Sequence, residues 1–221
     1  MRYRRAIARE ALSRSFPEKS PQAIRTILLR IYAHMGMKFV EMMRLPHLMT
    51  EAAAHEVIAV EGADNLREAH KQGKGVVALC GHIGNWELLA TVTPLWGYPL
   101  TIIARAVKNA TRQEGIFVEF FGKPACTTPG LAYMAAQVGP PIVPAFILRA
   151  SDTRRHVIRT LPAIEPPREI TPESVRSFTQ QCTTILEQII REHPEQWTWI
   201  HRRWRTVPWK GADRSGYQPP G

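Results

Sequence analysis

The stretch from Gly75 to Leu89, GVVALCGHIGNWELL, constrains the fold more than any other part of the chain. Val76 to Leu79 is a continuous apolar run of the kind expected for a strand buried on both faces. Gly81 ends the run, Gly84 and Asn85 supply turn and cap chemistry, and Trp86 to Ala90 reads as the opening turns of a helix. The unit is strand, turn, helix, and the alternation of strands and helices along the rest of the chain argues for an α/β sandwich around one sheet.

The turn carries a histidine and a carboxylate. On one continuous helix His82 and Glu87 would lie roughly 140° apart and could not cooperate, so they meet only if His82 sits in the turn and Glu87 in the first helical turn. There the helix dipole favours the carboxylate and helps keep the imidazole neutral, which is the state a general base needs. A turn whose polar residues merely cap the helix would have the same spacing.

The wording around this pair extends the reading. GHIGNWELLA, with VEGADNL before it and HPEQWTWIHRRWRTVP near the end, resembles the bacterial lipid A biosynthesis acyltransferases, the late lauroyl and myristoyl transferases. The resemblance runs in order from about Phe16 to Pro208. It implies that His82 is the catalytic base and Glu87 its acidic partner. It also implies a glycerolipid-acyltransferase type of fold, a mixed sheet flanked by helices with helical elements at both chain ends. The donor is then expected to be an acyl carrier protein thioester or acyl-CoA, and the acceptor a lipid A precursor or another glycolipid, such as a phosphatidylinositol mannoside. No metal or redox cofactor is expected. Backbone N–H groups at Gly84 and Asn85 are candidates for holding a tetrahedral oxyanion.

Composition supports an anionic partner without choosing one. Lys plus Arg is 29 against 19 for Asp plus Glu, a formal charge of +10, which suits a phospholipid surface, an acidic carrier protein or nucleic acid. Nucleic acid is set aside because the basic residues accompany acyltransferase wording; an inactive basic membrane-binding homologue remains the non-enzymatic alternative. Cys80, Cys126 and Cys182 are widely spaced, with no CxxC, and fit a reducing compartment. Cys80 could share a strand face with His82 as a nucleophile, but it ends an apolar run and reads as buried packing.

Residues 2–14 set Arg2, Arg4, Arg5, Arg9 and Arg14 among Ala6, Ile7, Ala8, Ala11 and Leu12, the pattern of a basic amphipathic helix on an anionic membrane or of a solvated arm. Ile24, Ile27, Leu28, Ile31 and Met35 form the stripe of a packed helix, and Pro46 breaks the pattern. Strands are expected at Val57 to Val60, Leu100 to Ala104, Gly115 to Phe121, Ile142 to Leu148 and His156 to Leu161. Gly122-Lys123-Pro124 reads as a turn. Arg105 and Arg149, at strand C-terminal ends, are candidates for binding an anionic substrate. Thr128-Pro129-Gly130 opens one helix, and Thr171-Pro172 opens another with Val175, Phe178, Cys182, Ile185, Leu186 and Ile189 on one face. In the tail Trp197, Trp199 and Trp204 alternate with His201, Arg202, Arg203 and Arg205, which suits a membrane interface or simple burial of the rings. The expected organisation is one acyltransferase domain over residues 1–210, with a membrane-facing helical part at 1–50 and a disordered tail at 211–221. The expected location is the cytoplasmic face of the inner membrane, held peripherally, since no apolar run of spanning length occurs.

One stretch departs from the family. Between the segment resembling ARAVKN, at Ala104 to Asn109, and GIFVEFFGKPA, from Gly115, the family carries a further helix, a strand and an acidic segment. Here only Ala110 to Glu114 joins them. A piece on the order of fifty residues is absent, too long for a trimmed loop when connections usually run about 4–6 residues. The sheet is then expected to lack a strand and the substrate site a wall.

Overall fold

The computed structural model describes residues 4–48, 50–101, 115–151 and 155–207. Two helices come first, α1 (Arg5–Ser15) and α2 (Pro21–Arg44). Ser20 caps α2 by accepting from the Ala23 N–H, and Pro21 occupies the first helical position, where its missing N–H costs nothing. Pro46 lies in a tight 3-10 turn at Leu45–Leu48 that ends the helix. There follow α3 (Glu51–Val57), β1 (Ile58–Glu61), α4 (Ala63–Lys71), β2 (Val77–Leu79) and α5 (Trp86–Val92). The second half holds β3 (Ile116–Phe120), β4 (Lys123–Thr127), α6 (Gly130–Val138), β5 (Ile142–Arg149), β6 (His156–Thr160) and α7 (Pro172–Glu192). A capping box between Thr171 and Ser174 opens α7.

Four strands form a mixed sheet in the order β1-β6-β5-β2. β1 runs parallel to β6, β5 antiparallel to β6, and β2 parallel to β5. β5 is the centre: all eight of its residues are buried. Phe146 and Leu148 pack with Leu12, Leu28, Ile31 and Ile190 from α1, α2 and α7. Ile147 packs instead with Ala54, Ile58, Leu88 and Val92, from α3, β1 and α5. Helices therefore cover both faces of the sheet, and the architecture is mixed α/β.

Several expectations are corrected. β2 is not buried on both faces: Ala78 is exposed and its neighbours half-buried. Gly122-Lys123-Pro124 does not turn the chain as one unit. The turn is Phe121-Gly122, with φ of +52° and +67°, and Lys123 already begins β4, which pairs antiparallel with β3. Two consecutive positive φ values suit a tight hairpin. Of the strand expected at Leu100 to Ala104, Leu100 and Thr101 are irregular and the rest lies outside the described residues, as do Arg105 and the junction at Asn109.

The two stretches expected to face a membrane spend their apolar groups internally. Ala8, Ala11 and Leu12 of α1 are buried against α2 and the aromatic cluster around Phe16. Trp199 is also buried, edge-on to both Phe16 and Phe121, and its indole N–H donates to the Pro194 carbonyl at 2.6 Å. Arg203 reaches back to the Cys126 carbonyl at 2.6 Å, tying the tail to the hairpin. The Trp199 ring is thus spent in the core, while Trp197 and Trp204 are half-buried against the same cluster.

Candidate active site

The loop from Gly81 to Asn85 joins β2 to α5, and the C-terminal tail holds it. Gly84 N–H donates to the Gln196 carbonyl at 3.1 Å, and the His82 carbonyl accepts from Thr198 N–H at 3.2 Å and from its hydroxyl at 2.9 Å. Gln196 is itself anchored on β5, where its side-chain amide accepts from Arg149 N–H at 2.8 Å and donates to the Arg149 carbonyl at 3.1 Å. Glycine is required at position 84: φ is +56°, and a Cβ would stand 1.7 Å from the Ile147 carbonyl oxygen. Of the two backbone donors suggested for an oxyanion, the Gly84 N–H is thus already engaged.

Asn85 is fully buried and caps α5, its Oδ1 accepting from Leu88 N–H at 3.4 Å. Its Nδ2 donates to Glu41 Oε2 at 2.9 Å. The cap therefore also fastens α5 to α2.

His82 is exposed on this loop, its ring 4.7 Å from that of Trp86 and 5.8 Å from that of His201. Partial removal from water and the Lys38 ammonium lower its pKa below the ordinary value, while Glu87 acts in the opposite direction. Glu87 lies in the first turn of α5, within electrostatic range of His82, but no hydrogen bond joins the two. Its nearest cation is Lys38, with Nζ 3.7 Å from Oε2, and that oxygen is buried with no hydrogen-bond partner. Lys38 also stands over the Trp86 ring, 2.9 Å from its centre. Burial pushes the Lys38 pKa down to about 8, against the pull of Glu87.

A second polar cluster lies under the same helix. Arg149, only 7% exposed, holds Glu41 with both terminal nitrogens, at 2.5 and 2.7 Å. His156 Nε2 lies 3.1 Å from Glu41 Oε1, and Arg149 Nε donates to His34 Nδ1 at 3.4 Å. Arg149 and His156 are paired residues across the β5/β6 ladder, so one hairpin end delivers both. The bidentate geometry is the strong form of the arginine–carboxylate pair. Burial alone would raise the Glu41 carboxyl, but the His156 and Arg149 hydrogen bonds hold it well below the usual carboxylate range.

Glu41, Arg149 and His156 form one wall of an open cavity of about 950 Å³, whose other walls include Met37, Val40, Val57 and Leu88. Arg44 and His47 also line it. His82 and Glu87 are not among its lining residues; Asn85 connects the two regions, since it caps the helix bearing Glu87 and bonds the Glu41 carboxylate.

Of the residues singled out in the sequence, His82, Gly84, Asn85 and Glu87 share this loop and helix start, Arg149 lies in the second cluster, joined to them through Glu41 and Asn85, and Arg105 lies outside the described residues. Arg149 is engaged by Glu41 rather than standing at an open strand end. Cys80 is exposed rather than buried, although nearby protein atoms raise its thiol pKa and so disfavour the thiolate. His34, Lys38, Glu41, His156 and Gln196 were missed. A signal for the first three is present: 24, 28, 31, 34, 38 and 41 continue one face of a helix by steps of three and four, past the point where its residues cease to be apolar.

The comparisons with known proteins agree with the sequence wording. A model of the family described as bacterial lipid A biosynthesis acyltransferase matches residues 1–111 and 101–206, in two stretches that meet at the shortened junction. The chain is 23% identical to the lipid A biosynthesis palmitoleoyltransferase of Escherichia coli (strain K12) over 252 residues, covering 94% of this chain and 81% of the relative. The same identity and coverage hold for the lipid A biosynthesis acyltransferase of Shigella flexneri. An alignment of 252 positions is longer than the 221-residue chain, so both relatives carry residues that this chain lacks.

Proposed function

This chain belongs to the bacterial lipid A biosynthesis acyltransferase family, and from that premise we propose that it moves a fatty acyl group from a carrier thioester to a hydroxyl of a lipid A precursor. The observation that carries the reading is the exposed His82 imidazole, biased toward its neutral form and placed beside the Glu87 carboxylate at the start of α5. His82 takes the proton of the acceptor hydroxyl as its oxygen attacks the thioester carbonyl. The tetrahedral intermediate then expels the thiolate, which recovers the proton from the imidazolium, leaving an ester and a free thiol. No covalent enzyme intermediate is required. Glu87 favours the imidazolium electrostatically, as a carboxylate does in other histidine-based sites. Asn85 acts by positioning α5. The overall architecture is read as the glycerolipid-acyltransferase type, and attachment as peripheral, on the cytoplasmic face of the inner membrane.

The test is transfer from an acyl carrier thioester to a lipid A precursor by purified wild-type and His82→Ala proteins. Loss of a general base costs about 10²–10⁴ in rate, so the variant should be inactive within that range while circular dichroism stays unchanged. Equal transfer by both proteins would sink the mechanism. A second reading is favoured by the residues that both relatives carry and this chain lacks: a homologue that binds lipid but no longer transfers acyl groups.

A further inference from the structure

α2 is inside out in its second half. A helix on a soluble protein turns apolar residues inward and charges outward. Here the inward positions are His34, Lys38 and Glu41, with His34 and Lys38 buried, whereas the outward ones include Leu29, Phe39, Val40 and Met43, exposed by 57, 66, 56 and 70%. At 100° per residue Leu29, Ala33, Gly36, Val40 and Met43 fall on one strip of the helix, opposite the buried ionisable one. From Ala33 to Met43 every exposed position of α2 is uncharged. The exposed charges of the helix are Arg25, Arg30 and Arg44, all positive, and its one acid, Glu41, is turned inward to Arg149.

We propose that this outward face of α2, from Leu29 to Met43, is the surface by which the protein lies on an anionic phospholipid bilayer. The proposal rests on the peripheral attachment put forward above and narrows the membrane-facing part expected at 1–50 to α2, whose apolar face is unspent, since the apolar groups of α1 and Trp199 of the tail are buried in the core. No helix among the described residues is long and apolar enough to cross a membrane, so the helix lies in the interface. Arginines at both ends of the strip meet anionic headgroups while Phe39, Val40 and Met43 enter the acyl boundary. Val40 also lines the 950 Å³ cavity, so one of its walls adjoins the lipid-facing strip.

The experiment is flotation of the full chain with vesicles of phosphatidylethanolamine and phosphatidylglycerol. It compares wild type, Phe39→Ser/Met43→Ser, and a control, Val138→Ser/Ile170→Ser, that removes exposed apolar groups elsewhere. Wild type and control should float together, and the α2 variant should lose at least about tenfold in partition, since two large side chains no longer leave water. Circular dichroism checks that all three are folded. If the α2 variant floats like wild type, the surface is wrong while attachment stands. If wild type itself stays at the bottom, both readings fall. A wild-type dimer by sedimentation that becomes monomeric in the α2 variant, with no vesicle binding by either, overturns the proposal in favour of a second copy covering the face.

Discussion

Lys38 Nζ lies 3.7 Å from Glu87 Oε2, so the carboxylate that the motif spacing assigns to His82 is shared with a lysine on α2. The arrangement makes α2 part of the electrostatics around the histidine. The ammonium lowers the His82 pKa and Glu87 raises it.

Lys38→Met therefore removes a positive charge that favours neutral imidazole, while keeping a side chain of similar length beside Trp86. If transfer needs neutral His82, the acid limb of the rate–pH profile should move to higher pH in Lys38→Met. It should move to lower pH in Glu87→Gln, which takes away the opposing charge. Profiles of kcat/KM from pH 5 to 9 check both directions, and superimposable limbs would show that neither residue acts on the base.

Glu41 joins α2, α5 and the β5/β6 hairpin through Asn85, Arg149 and His156. Glu41→Ala removes the carboxylate that Arg149 holds with both terminal nitrogens, and breaking one side of a buried pair costs about 3–5 kcal/mol. Replacing both residues, as Glu41→Met/Arg149→Met, should cost less than the sum of the single changes. Urea denaturation of the three variants measures the coupling.

His34 predicts acid lability. Burial first, and then the Arg149 guanidinium, hold its pKa down to about 4 from an ordinary 6.5. Between these values the unfolded chain binds a proton that the folded chain refuses, so stability falls as pH drops through that window. The full difference is on the order of 3 kcal/mol. Glu41, whose folded pKa is also depressed, adds a loss that begins below its ordinary 4.5. Stability measured at pH 7, 5.5 and 4 should decline for wild type and decline less for His34→Gln.

The shortened junction predicts weak transfer. Among the described residues β2 has an exposed Ala78 and β5 as its strand partner, and both relatives carry residues that this chain lacks. The rate should fall well below that of a relative carrying the segment. The intact mass of the natural protein and the reading frame across Asn109 to Gly115 establish whether the cell makes this form. Full activity in a natural chain of this length would show the segment to be dispensable.

The sequence alone determined the elements whose signals are local. The strand–turn–helix unit with His82 in its loop and Glu87 in the following helical turn, the buried run of β5, and the capped helix α7 with Val175, Phe178, Cys182 and Ile189 inward could all be read from periodicity and turn chemistry. The tertiary structure decided what depends on partners distant in the chain. Periodicity tells which face of α2 is apolar, but only packing shows that beyond Ile31 the inward face is the ionisable one, because Arg149, His156 and Glu87 arrive there from other elements to satisfy it. The apolar run of β2 looks the same whether its side chains end buried or, as Ala78 does, exposed. Trp199 carries the same local signal whether it meets lipid or, as here, Phe16 and Phe121. A hydrophobic pattern states what must leave water; which surface receives it is set by contacts between residues far apart in sequence.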